Sequence, residues 1–139
     1  MPSPRTGAGA GAAAALAWVA VEPLIGRAFG TPYADSKLAG ALITRGRLEP
    51  VARLGAHTAA GALFGFLWAR AGGRGAASGL LAAEVENALL WPAMAVVDRV
   101  HPYVRDGTWP PLLRNRRAFA AAAVGHGFFG AVLGAFAGD

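Results

Sequence analysis

The chain has 139 residues, of which 55% are hydrophobic and only 15% charged, whereas soluble domains average roughly 25% charged residues. Its formal net charge of +5 comes from basic residues that flank apolar segments, so it does not indicate a nucleic-acid partner. The sequence contains no cysteine, which excludes disulfides, thiolate metal ligands and cysteine nucleophiles. Composition therefore favours an integral membrane protein, and the lipid bilayer is its expected partner.

Four apolar segments predict an all-α membrane protein with four transmembrane helices, over about residues 7–29, 51–69, 75–97 and 118–138. The last segment contains twenty-one residues without an Asp, Glu, Lys or Arg. At ~1.5 Å rise per residue it can cross the ~30 Å apolar core of a bilayer. Arg5 and the alanines after it are typical of a signal peptide, but apolar residues continue past Ala17 to Ile25, so we expect a retained span.

Two loops join these segments on the more basic side. In the first, Asp35 and Ser36 predict the cap of a short interfacial helix over about residues 36–45, which Gly46 would end. The second, over residues 98–117, is rich in proline and aromatic residues, and we expect its His101 and Asp106 to be turn residues.

The distribution of Lys and Arg predicts the orientation. Three lie on the side of the two termini and ten on the opposite side, and basic loops stay in the cytoplasm. We therefore expect a multi-pass protein of the bacterial inner membrane with both termini outside the cytoplasm.

The chain also indicates an internal repeat. A shift of 69 residues aligns Pro23 with Pro92 and His57 with His126 without gaps. The sequence thus predicts one domain, residues 1–139, built from a two-helix unit used twice, over about residues 1–70 and 71–139. Two units in the same orientation would be related by a pseudo-twofold axis along the membrane normal.

Small residues recur every four positions after each of these histidines, which keeps them on one helix face. Such stripes let helix backbones approach closely inside lipid. We expect the second and fourth spans to pack through them, against each other or against a neighbour. The predicted packing residues are Gly61, Gly65, Gly130, Gly134 and Gly138.

Polar residues within the spans are the candidates for chemistry, because ionisable groups there usually face the protein interior. They form a predicted cluster of Glu84, Glu86, Asn87, His57 and His126. Glu84 shares a helix face with Asn87, which makes it the better candidate of the two carboxylates. A structural hydrogen-bond network, proton or ion passage, and a metal site on His57, His126 and Glu84 all remain open.

One family resemblance rests on the C-terminal half. Its residues are Gly79-Leu80-Leu81-Ala82, Pro92, Trp109-Pro110-Pro111 and Gly125-His126-Gly127 before a glycine-spaced helix. This pattern resembles the YagU-like bacterial inner-membrane proteins, which implies a multi-pass inner-membrane protein and no particular active site. Glu84 and Glu86 lie outside the pattern.

Two functions from different classes follow. The first is an ion, proton or small-solute channel or transporter, or a membrane subunit of a larger complex, which works as a homo-oligomer or with other membrane subunits. The alternative is an intramembrane metal-dependent enzyme that uses His57, His126 and Glu84 or Glu86. The sequence identifies no cofactor.

Overall fold

The computed structural model describes residues 1–138, and every regular element in that range is helical. Asp139 lies outside the described residues. In chain order the elements are α1 (Pro4–Phe29), α2 (Asp35–Ile43), α3 (Glu49–Arg70), α4 (Gly75–Leu90), a 3₁₀ turn (Trp91–Ala93), α5 (Met94–Val100), α6 (Pro102–Arg105) and α7 (Arg116–Ala137).

The ends of α1 follow from local sequence. The Ser3 hydroxyl accepts a hydrogen bond from the backbone N–H of Thr6, and Pro4 begins the helix where its missing N–H costs nothing. Gly30, in the left-handed conformation (φ 59°), ends it after 26 residues. Pro23 lies inside this helix without interrupting it.

The two aligned prolines behave differently. At Pro92 the helix tightens into the 3₁₀ turn, so the predicted helix over residues 75–97 consists of α4 and α5 with a break between them. Proline lacks the backbone N–H that a continuous helix needs.

Four long helices form the body of the molecule in the spatial order α3, α1, α7, α4, each packed against the next. Helices α3 and α4 do not pack along each other, which leaves a cleft between them. The loop end, as we call the end that holds α2, α5 and α6, is opposite the end that holds the N-terminus and the turn after Arg70.

Two glycine seams hold the antiparallel pairs together. In the first, of α1 with α3, a Cβ on Gly11 would collide with the carbonyl oxygen of Gly61. In the second, of α4 with α7, a Cβ on Gly79 would collide with the carbonyl oxygen of Gly130. The same contact recurs one turn away in each seam, between Gly7 and Gly65 and between Gly75 and Gly134.

The stripes on α3 and α7 thus face α1 and α4, so of the two expected arrangements the structure has each stripe packed against a neighbouring helix and not the two stripes against each other. Gly138 differs from the other predicted packing residues, because it follows the end of α7 and nothing lies within 4 Å of a Cβ built there.

Helix α2 covers the loop end of α3. Its N-cap is Ala34, not Asp35 or Ser36, and its first turn is capped by a side chain from α1 instead. The buried carboxylate of Glu22 accepts hydrogen bonds from the Ser36 N–H at 2.9 Å and the Ser36 hydroxyl at 2.5 Å. Arg53 of α3 lies 3.9 Å from the same carboxylate.

Within residues 1–138, three helices are long and apolar enough to cross a membrane: Pro4–Phe29, Gly75–Val100 with its proline break, and Arg116–Ala137. The sequence predicted four such helices, and α3 is not among the three. Large apolar side chains cover the outside of the body, with Leu24, Leu81 and Leu89 each more than 60% exposed. Such an apolar exterior suits contact with lipid.

Candidate functional site

Trp18 of α1 lies between the two histidines that the sequence singled out. Its ring centroid is 5.0 Å from that of His57 on α3 and 4.8 Å from that of His126 on α7, edge to face in both cases. The indole is buried against Gly125, where a Cβ would overlap the ring. The three helices therefore bring both histidines to one place.

These rings border a cavity of about 70 Å³, the central chamber, which is also lined by Asp35 and Glu86. Asp35 comes from the start of α2 and Glu86 from α4. The chamber is therefore built from the four long helices and the start of α2, and residues distant in sequence supply its polar groups.

Each histidine faces one carboxylate. Nδ1 of His57 lies 3.6 Å from Oδ2 of Asp35, and Nε2 of His126 lies 3.8 Å from Oε2 of Glu86. Asp35 also accepts a hydrogen bond of 2.8 Å from the Tyr33 hydroxyl. Burial, and after it the charge of Asp35, raises the pKa of Tyr33 well above its ordinary value, so this hydroxyl stays a donor.

Hydrogen bonding fixes the tautomer of His126. Its Nδ1 lies 2.9 Å from the carbonyl oxygen of Ala122. A carbonyl can only accept, so Nδ1 carries the hydrogen. Nε2 then presents a lone pair to Glu86 unless a proton sits on one of the two groups. His126 Nε2 and the Glu86 carboxylate are then two facing acceptors. A proton, or a ligand that donates a hydrogen bond, would stabilise this arrangement.

Two buried polar atoms at the site have no hydrogen-bond partner among residues 1–138. They are Nε2 of His57, whose side chain is 8% exposed, and Nδ2 of Asn87, whose side chain is 4% exposed. Unpaired buried polar groups are rare and costly in proteins. Of the two residues, His57 lines the chamber, so its unpaired atom indicates a place for water or a small ligand there.

The chamber continues toward the loop end. An adjoining cavity of about 190 Å³ shares Asp35, Glu86 and His126 with it and extends past Asn87 to Trp91. A third cavity, of about 380 Å³, lies at the turn between α1 and α2. Both further cavities therefore lie toward the loop end.

Of the two predicted carboxylates, Glu86 faces the chamber. Glu84 lines neither the chamber nor the adjoining cavity, and one of its carboxylate oxygens lies 3.0 Å from a Cβ built on Gly127. Glu84, which we expected to be the better candidate because it shares a face with Asn87, therefore lies outside both cavities. The two carboxylates of α4 have different neighbours. Glu84 lies near Gly127, whereas Glu86 faces His126.

Sequence reasoning missed Asp35 and Trp18. In the sequence, Asp35 was interpreted as the cap of a short helix. Only the packing of α2 on α3 brings its side chain close to His57. Trp18 resembled any apolar span residue. A usable signal was the glycine at position 125, next to His126 in sequence, which leaves room for a large side chain from another helix.

The proposed metal site gains no support from this arrangement. Within the described residues, no three His, Asp or Glu side chains converge closely enough to hold a metal ion. His57 and His126 are separated by the Trp18 ring, and the third candidate ligand, Glu84, lies outside the chamber.

His101 and Asp106 lie at the loop end, away from the chamber. His101 is fully buried, stacks on Trp109 with ring centroids 4.9 Å apart, and bonds to the Leu38 carbonyl at 3.1 Å. Burial lowers its pKa, although the bond to Leu38 opposes that shift. Hydrogen bonds from Thr108 and then the nearby Arg45 lower the pKa of Asp106 to about 2.

Comparison of the chain with protein-family models, with curated proteins and with solved structures found no match.

Proposed function

We propose that this protein moves a proton or a small polar solute across a membrane through the central chamber. The observation that carries the proposal is the placement of two histidine–carboxylate pairs on either side of Trp18, at the centre of an apolar helical body. Ionisable groups at such depth are costly and mark proton or substrate pathways in membrane proteins. Imidazole and carboxyl groups are also the side chains that most often accept and donate protons in proteins.

The proposal includes four spans. Helix α3 has 22 residues and packs along α1 through backbone contacts of the first glycine seam. Since no layer of side chains separates the two helices, α3 shares the depth of α1 in the bilayer. Its polar residue His57 faces the chamber and is 8% exposed, which reduces the cost of placing α3 in lipid.

We further propose that the body arose by duplication of a two-helix unit. The two seams use the same glycine contacts, and α3 aligns with α7 by a shift of 69 residues, as His57 and His126 show. The glycines of α1 and α4, such as Gly11 and Gly79, align by a shift of 68. Parallel repeats with a site at their interface are a known transporter design.

The setting of this activity is, in our proposal, the inner membrane of a bacterium, with both termini outside the cytoplasm and the basic loop end inside. The pattern shared with YagU-like proteins supports that location. The chamber is then reached from the cytoplasmic side.

A second candidate function is that of a membrane subunit in a larger assembly. The cleft between α3 and α4 favours it, because the Glu86 side chain beside this cleft remains 37% exposed. A carboxylate is costly against lipid, so a second copy or another membrane subunit covering the cleft would stabilise the protein.

A flux assay tests the main proposal. Purified protein is reconstituted in liposomes that contain a pH-sensitive dye, and a proton gradient is imposed. We expect wild type to dissipate the gradient faster than empty liposomes. Glu86→Gln should abolish the difference, because the amide keeps the shape of the carboxyl group but cannot ionise.

Glu84→Gln is the matched control, on the same helix but outside the chamber, and should retain the flux. Equal rates in wild type, Glu86→Gln and empty liposomes would overturn proton passage. That result would leave the subunit role as the better account.

A further inference from the structure

We propose that the central chamber binds a small cation that donates N–H hydrogen bonds, of the ammonium class. This inference rests on the proposed function, since it names the solute class that the same chamber would take. Its basis is the identity of the atoms that the chamber presents.

Most polar atoms of the chamber are acceptors. Asp35 and Glu86 contribute carboxylate oxygens. The Nδ1 hydrogen of His126 is committed to Ala122, which leaves Nε2 as a lone pair. Such a set attracts a donor with positive charge and repels anions.

His57 adds another acceptor. Its Nδ1 lies 3.6 Å from Asp35, which favours the hydrogen on that nitrogen. Nε2 is then a buried lone pair without a partner among the described residues. A ligand N–H would satisfy it, and this unpaired atom is the observation that calls for a ligand rather than for a closed network of hydrogen bonds.

The type of acceptor restricts the cation. Hard metal cations prefer sites made of oxygen ligands, and imidazole nitrogen suits transition metals. The described residues provide no three ligands for such a metal. An ammonium ion can bind to both types of acceptor atom. Its four N–H groups donate hydrogen bonds to an imidazole nitrogen as well as to a carboxylate oxygen.

Geometry and size agree with this class. Oε2 of Glu86 and Nε2 of His126 are 3.8 Å apart, so one nitrogen can donate to both at ordinary distances near ~2.9 Å. The cavity of about 70 Å³ holds about two molecules of water size, at roughly 30 Å³ each. Trp18 adds an aromatic ring beside the bound charge.

The test measures thermal melting of the purified full-length protein in detergent at constant ionic strength. Ammonium, methylammonium, potassium, sodium and tetramethylammonium chlorides are titrated separately. We expect ammonium, and more weakly methylammonium, to raise the melting temperature with saturation. Potassium, sodium and tetramethylammonium should not, because the first two donate no hydrogen bond and the last has no N–H.

Variants locate the site. Glu86→Gln and His57→Gln should each weaken the apparent ammonium affinity about tenfold or more, equal to about 1.4 kcal/mol. Glu84→Gln should bind as wild type does. If a chamber variant fails to fold, the test uses wild type and Glu84→Gln alone. The order in which the cations raise the melting temperature of these two proteins then decides whether the chamber binds ammonium.

The outcomes separate this inference from the proposed function. The ammonium site would be overturned if ammonium and potassium raised the melting temperature of wild type equally. It would also be overturned if Glu84→Gln and Glu86→Gln lost the same ammonium affinity. Glu86-dependent proton flux together with that result would leave the proposed function standing. Saturable ammonium binding without any flux would overturn transport and keep the site.

Discussion

The three histidines of this chain differ in how many of their ring nitrogens are satisfied. His101 uses both, because Nε2 bonds to the Leu38 carbonyl and Nδ1 accepts from the Tyr103 N–H at 3.3 Å. His57 has an unpartnered Nε2 within the described part of the chain, and His126 faces Glu86 across 3.8 Å. At the scale of single residues, His101 is therefore structural, whereas the other two retain capacity for a proton or a ligand.

The pH dependence of stability tests the role of His101. Burial lowers its pKa in the folded state from the ordinary 6.5, so the unfolded chain binds the proton more readily. Its contribution is present above pH 6.5 and is lost as pH falls below that value. We expect the melting temperature to fall between pH 7.5 and 5, and His101→Gln to reduce this dependence relative to wild type.

The charged neighbours Arg45, Asp106 and Glu49 are unchanged in that variant, so the difference between the two pH profiles isolates His101. Identical slopes for wild type and His101→Gln would show that the stacked imidazole does not titrate differently on folding.

At the scale of helices, the glycine seams decide which elements pair. Lipid provides no hydrophobic driving force between helices, so close contact of backbones supplies the packing energy. Each seam joins α3 or α7 to its own partner helix. The histidines that begin the stripes, His57 and His126, share a helix face with the seam glycines, and Trp18 of α1 packs against both of their rings.

Substitutions in the seams test this pairing. Gly11→Leu and Gly79→Leu should each lower the melting temperature and the yield of folded protein, because the new side chain meets the backbone of the facing helix. Overpacking of this kind costs on the order of 1–3 kcal/mol or more.

Gly9→Leu on α1 and Gly55→Leu on α3 are matched controls, since nothing lies within 4 Å of a Cβ at either position. Seam variants that melt like these controls would show that the seams do not hold the pairs together.

At the scale of the whole molecule, charge and apolar surface are segregated. Leu81 and Leu89 belong to the exposed apolar exterior of the body. The loop end carries ten Lys and Arg, counted from the sequence, against three at the other end. An apolar exterior suits a bilayer around the body, and the charge difference is the basis of the orientation that we propose.

Reporter fusions test the orientation. A reporter that is active only in the cytoplasm should be inactive when joined after Gly138. The same reporter should be active when inserted at Gly107, an exposed turn with nothing within 4 Å of a Cβ. Strong activity after Gly138 would reverse the orientation and place the proline-rich loop outside.

The helical class and the positions of the long helices could be read from the amino-acid sequence, because these depend on local properties. Charge-free length, the cap at Ser3 and the left-handed Gly30 act within one helix. The stripes through Gly61 and Gly130 were equally visible, since residues four apart share a face.

Only the tertiary structure decided which surfaces meet. The partner glycines on α1 and α4, the proximity of Asp35 to His57 and the preference for Glu86 over Glu84 depend on helices distant in sequence. A helical pattern shows which residues share a face, but not what that face contacts. The chamber exists because Trp18 separates two histidines that the chain places 69 residues apart, and only packing brings such residues together.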